Sequence, residues 1–472
     1  MQGTKKKEDI KELLSKKEQA GGRCWFPILV VLICLRLNLS AGVSFRGCPK
    51  ALKAFFLTIP SLESIAVPSR TTVQRWMAKV GYHKLHCPLE KADDWIILID
   101  ESIQVGSQKY LTIFGCRAKN LPVGRSLTLD DLIPLHAVVL AKSDGNIIRD
   151  ILNTVTLRVG GIMAICSDEC SNLVRAFRLY QEDHPETKHI PDITHKVANM
   201  VKKRLNIDLE WKQFIKMINT TKLKMYNSSL AHLAPPSLRG KSRFLNLDIL
   251  IEWTLKVLEL LKTGNTSSAY DDKIAEEYLG WLRKFEEPIK YYSNMLDVVS
   301  LVRHLVRQNG IHRHIADEFA IEFENASLHS SVEWDVAACT LANEIYEFLY
   351  EQGNKTGIGQ VLLGSSESIE TFFGKYKSMQ GDQTKAGFSR MVLAGIAHVG
   401  VVNKSLVQAA IETVSHAQVD KWVQANVGIT VHAKRCKIFG KHNKKLPLLP
   451  YAKSIEMAQE LAGFSIGEAM GF

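Results

Sequence analysis

Trp95-Ile96-Ile97-Leu98-Ile99-Asp100 is the stretch that decides the fold. Five consecutive apolar residues with no helical period, closed by an acid, predict a central strand buried on both faces. The elements around it follow from similar patterns. Lys109 to Arg117 (KYLTIFGCR) predicts a second strand and Leu135 to Ala141 a third. Gly145 to Arg158 has helical spacing. Gly161 to Cys166 predicts a fourth strand running to Asp168. Ser171 to Tyr180 predicts a helix, His189-Ile190 a short strand, and Lys196 to Leu205 a long basic helix.

The resulting order is β-β-β-α-β-α-β-α. It resembles a ribonuclease-H-like sheet, in which three antiparallel strands lead and α/β units follow. In such a sheet the first and fourth strands are neighbours, so Asp100 and Asp168 meet at one edge. The fold class expected is α/β: a ribonuclease-H-like mixed sheet with an all-helical insertion and an N-terminal helix-turn-helix domain. The predicted divisions are a charged arm (1–23), a helical DNA-binding domain (24–88), the sheet-bearing segment of a catalytic core (89–210), the helical insertion (211–360), a final core helix (361–400) and a helical, basic tail (401–472). The insertion is read from Leu, Lys, Glu and Trp at helical spacing, clearest in Tyr291 to Val306 and Val336 to Tyr350. Lys434 to Lys445 (KRCKIFGKHNKK) is a basic cluster, and no repeat or low-complexity tract interrupts the chain.

The N-terminal domain is read as three short helices. Trp25 to Leu37 (WFPILVVLICLRL) follows Lys5, Lys6 and Lys7 and superficially resembles a signal sequence. It is too short to span a bilayer, Arg36 interrupts it, and no small-residue cleavage site follows, so a buried helix is expected. A second helix starts near the cap residue Ser44 and presents Phe45, Leu52, Phe55 and Phe56 on one face. Ser69 caps the third. There Val73, Trp76, Met77 and Val80 face inward, and Arg70, Thr71, Gln74, Arg75 and Lys79 face out. An apolar back with a basic, hydrogen-bonding front suits a helix that reads a major groove, and equally a plain solvated face.

Composition agrees with a nucleic-acid partner without proving one. The 472 residues suggest two to four domains, and 46% hydrophobic content excludes wholesale disorder. Lys and Arg number 60 against 49 Asp and Glu, a net charge of +11 that suits a polyanion. The nine cysteines form no CxxC pair, which argues against a disulfide scaffold and for reduced thiols in an intracellular protein. Cys166 and Cys170 flank Asp168 but lack the paired ligands of a zinc site.

The acids carry the chemistry. Asp100 and Asp168 need a third carboxylate from a later helix, and Ser365 to Lys377 (SSESIETFFGKYK) supplies Glu370. Ile369, Phe372, Phe373 and Tyr376 form an i, i+3, i+4, i+7 stripe beside it. Lys377, two turns on, is placed to hold a phosphate. Glu367, one turn before Glu370, is the alternative third acid. Three hard carboxylates suit two divalent ions about 4 Å apart, which serve phosphodiester cleavage by water or a 3′-hydroxyl. Trp211, Trp253, Trp281 and Trp334 are read as core residues rather than as platforms for a flipped base.

On these residues the chain resembles the DDE transposases of bacterial insertion sequences, and more loosely the hAT and Mutator groups. The residues that carry the resemblance are Asp100 in ILIDES, Asp168 in ICSDE, Glu370 in SIETFFGKYK, and a D-x-x-H at Asp192 and His195. The stretch VPSRTTVQRW is similar to the helix-turn-helix that precedes such cores. Two features depart from the pattern. Ser366 stands where related enzymes often carry Asn, and a long gap, filled here by the helical insertion, separates Asp168 from Glu370. The resemblance implies cleavage at transposon ends and strand transfer with two Mg²⁺ or Mn²⁺ ions held by Asp100, Asp168 and Glu370. It also implies an oligomer on double-stranded DNA, no membrane partner, and a place in the bacterial cytoplasm with the nucleoid, or in the nucleus of a eukaryotic host. Asp192 and His195 are expected to support the site, His195 being equally a buried, hydrogen-bonded ring at a helix start. Three rivals remain: a decayed or domesticated DNA-binding derivative, a helix-turn-helix regulator, and a related nuclease acting on RNA or junctions.

Overall fold

A computed structural model of the chain describes residues 24–103, 107–236, 247–264, 269–330, 334–380 and 387–439. The N-terminal arm and the end of the basic cluster after 439 lie outside the described residues. Five strands form one mixed sheet: β1 (Ala92–Ile103), β2 (Lys109–Arg117), β3 (Ile133–Leu140), β4 (Gly160–Ser167) and β5 (Lys188–Pro191). Their spatial order is β3-β2-β1-β4-β5. β1 is antiparallel to β2 and β2 to β3, whereas β4 runs parallel to β1 and β5 parallel to β4. The predicted strand order and the adjacency of the first and fourth strands are both present, and the sheet is consistent with a ribonuclease-H-like one.

Both faces of β1 are covered, as its unbroken apolar run requires. Alternation sends Ile96 and Leu98 into one cluster and Trp95, Ile97 and Ile99 into another. The second cluster is closed by α4 (Gly145–Val159) and α5 (Ser171–Asp183), which pack against each other. The first faces α6 (Ile193–Ile207) and continues into the helices that follow. These are α7 (Leu209–Met225), α8 (Leu247–Thr263), α9 (Ala269–Leu279), α10 (Glu286–Asn309), α11 (Ile315–Ser330) and α12 (Val336–Gly353). The expected insertion is therefore helical among the described residues, and it shares one apolar cluster with the sheet. Burying a Leu- or Ile-sized side chain contributes about 1.5–3 kcal/mol, so the shared cluster joins insertion and sheet firmly. Trp211, Trp253, Trp281 and Trp334 all pack against it, as expected. The indole of Trp334 stacks on Phe323 with centroids 4.7 Å apart and donates to the Phe323 carbonyl.

The last core helix, α13 (Glu367–Gln380), lies on the same face of the sheet. Its predicted stripe of Ile369, Phe372, Phe373 and Tyr376 is buried throughout. Tyr110 of β2 is the seat, with ring centroids 5.5 to 6.1 Å from Phe372, Phe373 and Tyr376.

The N-terminal helices are α1 (Ile28–Leu39), α2 (Gly47–Leu57) and α3 (Arg70–His86). α1 is buried along most of its length, and among the described residues no helix is long and apolar enough to cross a membrane. Ser69 caps α3 as predicted, accepting from the Thr72 amide. Three expectations are corrected. α2 begins at Gly47, not near Ser44, although the Ser44 hydroxyl accepts from the Gly47 amide. Phe55 is 52% exposed, because the inward face of so short a helix is filled by Cys48, Leu52 and Phe56. Nor do these helices close a core by themselves. Their cluster also takes Ala394 from α14 (Met391–Ile396), the adjacent Ala397, and Val407, Ala410 and Ile411 from α15 (Lys404–Thr413). α16 (His416–Asn426) packs on α3 as well, and α17 (Val431–Phe439) follows it. At the α3–α14 crossing a Cβ on Gly81 would stand 1.8 Å from the Leu393 carbonyl oxygen, so only glycine allows this approach.

Candidate active site

Register brings the first two acids together. β1 and β4 pair with Ile99 opposite Ser167, so Asp100 and Asp168 are the next step on each parallel chain. Asp100 does not close its strand, as the sequence suggested. β1 runs on to Ile103, with Asp100 opposite Thr112 of β2. The extension is held by Glu101 on the opposite face, which pairs with Lys109 at 2.6 Å and accepts from the Ser143 hydroxyl. Asp100, like Ile96 and Leu98, points to the face that carries α13 and α6.

The third acid comes from α13. Glu370 sits one turn into the helix, next to the buried stripe, and its Oε1 lies 3.1 Å from His195 Nε2. His195 stands in the first turn of α6, where Asp192 is the cap and accepts from the His195 amide at 2.7 Å. The other Asp192 oxygen accepts from both the amide and the hydroxyl of Ser366, the hydroxyl at 2.9 Å. Asp192 thus ties the start of the His195 helix to the start of the Glu370 helix, and it is buried at 1% exposure. The Asp192 amide donates to the Ser167 carbonyl at 2.8 Å, which connects this tie to the end of β4 beside Asp168. Ser366, a departure from the expected Asn, is the residue that receives the tie.

The electrostatics are those of acids crowded at a buried edge. Burial first, and then the charge of Asp168, push the Asp100 carboxyl up to about 7 from 3.8, with Glu370 adding to the rise. One hydrogen bond from the Glu101 amide and the nearby His195 oppose the shift. His195 moves the other way. Its hydrogen bond to Glu370, helped by Asp192, Glu370 and Asp168, raises it to about 9 against the cost of burial. The Asp168 carboxylate accepts from the Cys170 amide at 3.2 Å.

Hard carboxylate oxygens suit Mg²⁺ or Mn²⁺ in kind, and the charge excess on Asp100 is what a cation relieves. Among the described residues, however, no three His, Cys, Asp or Glu side chains converge closely enough to share an ion. To ligate together, these carboxylates must turn toward one another and Glu370 must leave His195. Glu367, the alternative acid, is engaged elsewhere: it pairs with Arg307 of α10 at 2.7 Å and with Arg303 at 3.8 Å. Lys377 is exposed, two turns along α13 from Glu370.

The front of α3 that the sequence suggested for DNA contact is only partly open. Thr71 and Arg75 are exposed and Arg70 is half-buried. Lys79 donates to the Ile411 carbonyl at 3.2 Å, and Gln74 lies against the Met391 sulfur. The C-terminal helices occupy that side, which the local pattern of α3 did not disclose. Sequence reasoning also missed the His195–Glu370 pair, although the three-residue step from an N-cap Asp to His is a legible signal for a ring at the head of a helix.

No family model matches the chain, and no curated protein does. Among solved structures, the chain is similar to the Drosophila P element transposase strand transfer complex, with a TM-score of 0.39 and 13% identity over 83% of this chain and 94% of that one.

Proposed function

We propose that this chain is a DNA transposase of the DDE type that cuts at the ends of its element and joins them to target DNA. What supports the reading is that Asp100 of β1 lies near enough to Asp168, after β4, and to Glu370 of α13 for both charges to raise its carboxyl, in a sheet ordered β3-β2-β1-β4-β5. Asp100, Asp168 and Glu370 are the residues that would hold divalent ions, which when bound acidify the attacking water or 3′-hydroxyl and steady the leaving oxygen. Asp192 and Ser366 set the relative position of α6 and α13. His195 holds Glu370 by one oxygen, and Lys377 offers a charge for a phosphate beyond it. Arg70, Thr71 and Arg75 contribute to DNA contact from α3, and an oligomer on paired DNA ends is expected.

Glu370 held by His195, with the acids not converged, favours a second reading: a DNA-binding derivative that no longer cuts. The two are separated by incubating DNA that carries the flanking ends of the gene's own element with Mg²⁺ or Mn²⁺. Wild type is run beside Asp168→Ala and Glu370→Ala. Metal-dependent nicking that both substitutions abolish, with DNA binding kept, establishes the transposase reading. Binding without cleavage by the wild type establishes the second.

A further inference from the structure

We infer that the outward side of α7, in the helical insertion, is a duplex-DNA surface on which Lys212, Lys216 and Lys224 hold backbone phosphates. This rests on the DNA-binding reading above and adds to it a surface outside α3.

Burial decides which side of α7 looks outward. Phe214, Ile218, Thr221 and Met225 are buried. Phe214 lies against Trp281 and Phe285, with ring centroids 6.1 and 5.5 Å away, and the Trp281 indole donates to the Thr221 hydroxyl at 3.0 Å. The opposite side carries Lys212, Gln213, Lys216, Asn219, Thr220 and Lys224, all exposed. Lys212, Lys216, Thr220 and Lys224 recur every four residues, which sets them along one broad face of a rigid helix. Among the described residues, none of these three lysines pairs with an acid. Lys222 lies over the Tyr226 ring at 5.8 Å and is not part of the face. Nor do nearby acids neutralise it. From Lys196 to Lys224 the only acids are Asp208 and Glu210. Asp208 is occupied, accepting from the Trp211 amide at 3.0 Å and the Tyr292 hydroxyl at 2.6 Å. Like charges a turn apart weaken a helix unless an anion lies over them. The exposed Leu209 and Leu223 stand at opposite ends of α7 and form no apolar strip for a protein partner. From Lys212 to Lys224 the helix rises about 18 Å, or about five nucleotide steps along one strand. His195 stands in the first turn of α6, whose length puts the start of α7 roughly 20 Å, or about six base pairs, from the acids. Duplex held at the acid edge can therefore continue over α7. Point charges on flexible stems, with the Gln213 and Asn219 amides between them, grip phosphates and carry little sequence information.

The test uses the full-length protein and fluorescent duplexes, one of random sequence and one carrying an element end, titrated at several salt concentrations. Lys212→Gln, Lys216→Gln and Lys224→Gln should each weaken binding roughly 2- to 5-fold, and together by at least about tenfold, equally on both duplexes. The salt slope should fall by about 1 for each phosphate contact removed. Lys212→Arg, Lys216→Arg and Lys224→Arg combined keep the charge and should bind as wild type does. The control combines Lys256→Gln, Lys262→Gln and Lys290→Gln, which removes the same net charge from lysines already paired with glutamates. It should leave binding close to wild type. Unchanged binding by the triple glutamine variant of α7, an equal loss in the control, loss in the arginine variant, or loss confined to element-end DNA overturns the inference and leaves the transposase reading standing. Wild type that binds no duplex overturns both.

Discussion

Asp100 is a carboxylate placed where burial and the neighbouring acids disfavour charge more than the Glu101 amide and His195 favour it, and that placement has a measurable consequence. Its value in the fold, about 7, lies above the ordinary 3.8. A group raised in this way contributes fully to stability only below the ordinary carboxylate range and loses that contribution as pH rises through 7. In EDTA, Asp100→Asn should therefore melt close to wild type at pH 5 and increasingly above it toward pH 8. The difference at pH 8 should be on the order of 1–3 kcal/mol, one pKa unit being about 1.4 kcal/mol and the full shift a ceiling. Thermal melts across that range decide it, and parallel curves for the two proteins would remove the assignment of a crowded acid edge. The position of Asp100 was legible in the sequence because an apolar run that ends in an acid has few structural uses. The partner of Glu370 was not, since the meeting of His195 with Glu370 depends on how two helices far apart in the chain are angled.

At the scale of elements, α13 was the most readable piece. Its apolar residues recur with a strict period, and all of them are buried against Tyr110 and its neighbours. Its exposed face carries Gly374, where an added Cβ would meet nothing within 4 Å. Gly374→Ala should thus raise stability by about 0.5–1 kcal/mol, since a helical glycine costs backbone entropy and gains no contact. Gly81 on α3 should respond in the opposite sense. Its added Cβ would collide with backbone at Leu393, and backbone cannot rotate away. Gly81→Ala should cost roughly 3 kcal/mol or more, in the range of overpacked cores, and denaturant unfolding of the two variants side by side is the measurement. A loss at Gly374 or neutrality at Gly81 would contradict the packing of their helices. The sequence of α3 could not announce this crossing. A glycine between Val80 and Tyr82 reads as a mild weakness in a helix until the carbonyl opposite it is known.

For the whole molecule, chain order and spatial order diverge. The stretch 24–88 reads as a self-contained helical domain, because its three helices are contiguous and each has an apolar face. The fold closes them with segments from the other end of the chain. Val407, Ala410 and Ile411 join the cluster of Val73, Trp76, Met77 and Val80, while Lys84 donates to the carbonyls of Ala397, Val399 and Gly400. That last contact is buried, and burial lowers the Lys84 ammonium to about 8. The α15 sequence shows an apolar face, yet nothing local says what covers it. The arrangement predicts the effect of removing residues 401–472. Losing Val407 and Ile411 alone forfeits about 1.5–3 kcal/mol of burial each and bares the flank of α3. The sheet core loses Val414, Val419 and Val427 from the cluster on one face but keeps the rest of that cluster and all of the one on the other face. Hydrogen exchange should then show α1, α2 and α3 losing protection while β1, β2 and β4 retain it. Retained protection in α3 would mean that the N-terminal helices are self-sufficient, as their contiguity suggests, and that the C-terminal helices merely rest on them. Loss in β1 as well would mean that the closure supports the acid edge itself, through the short path from α3 by Gly81 and Leu393 to α14 and α13.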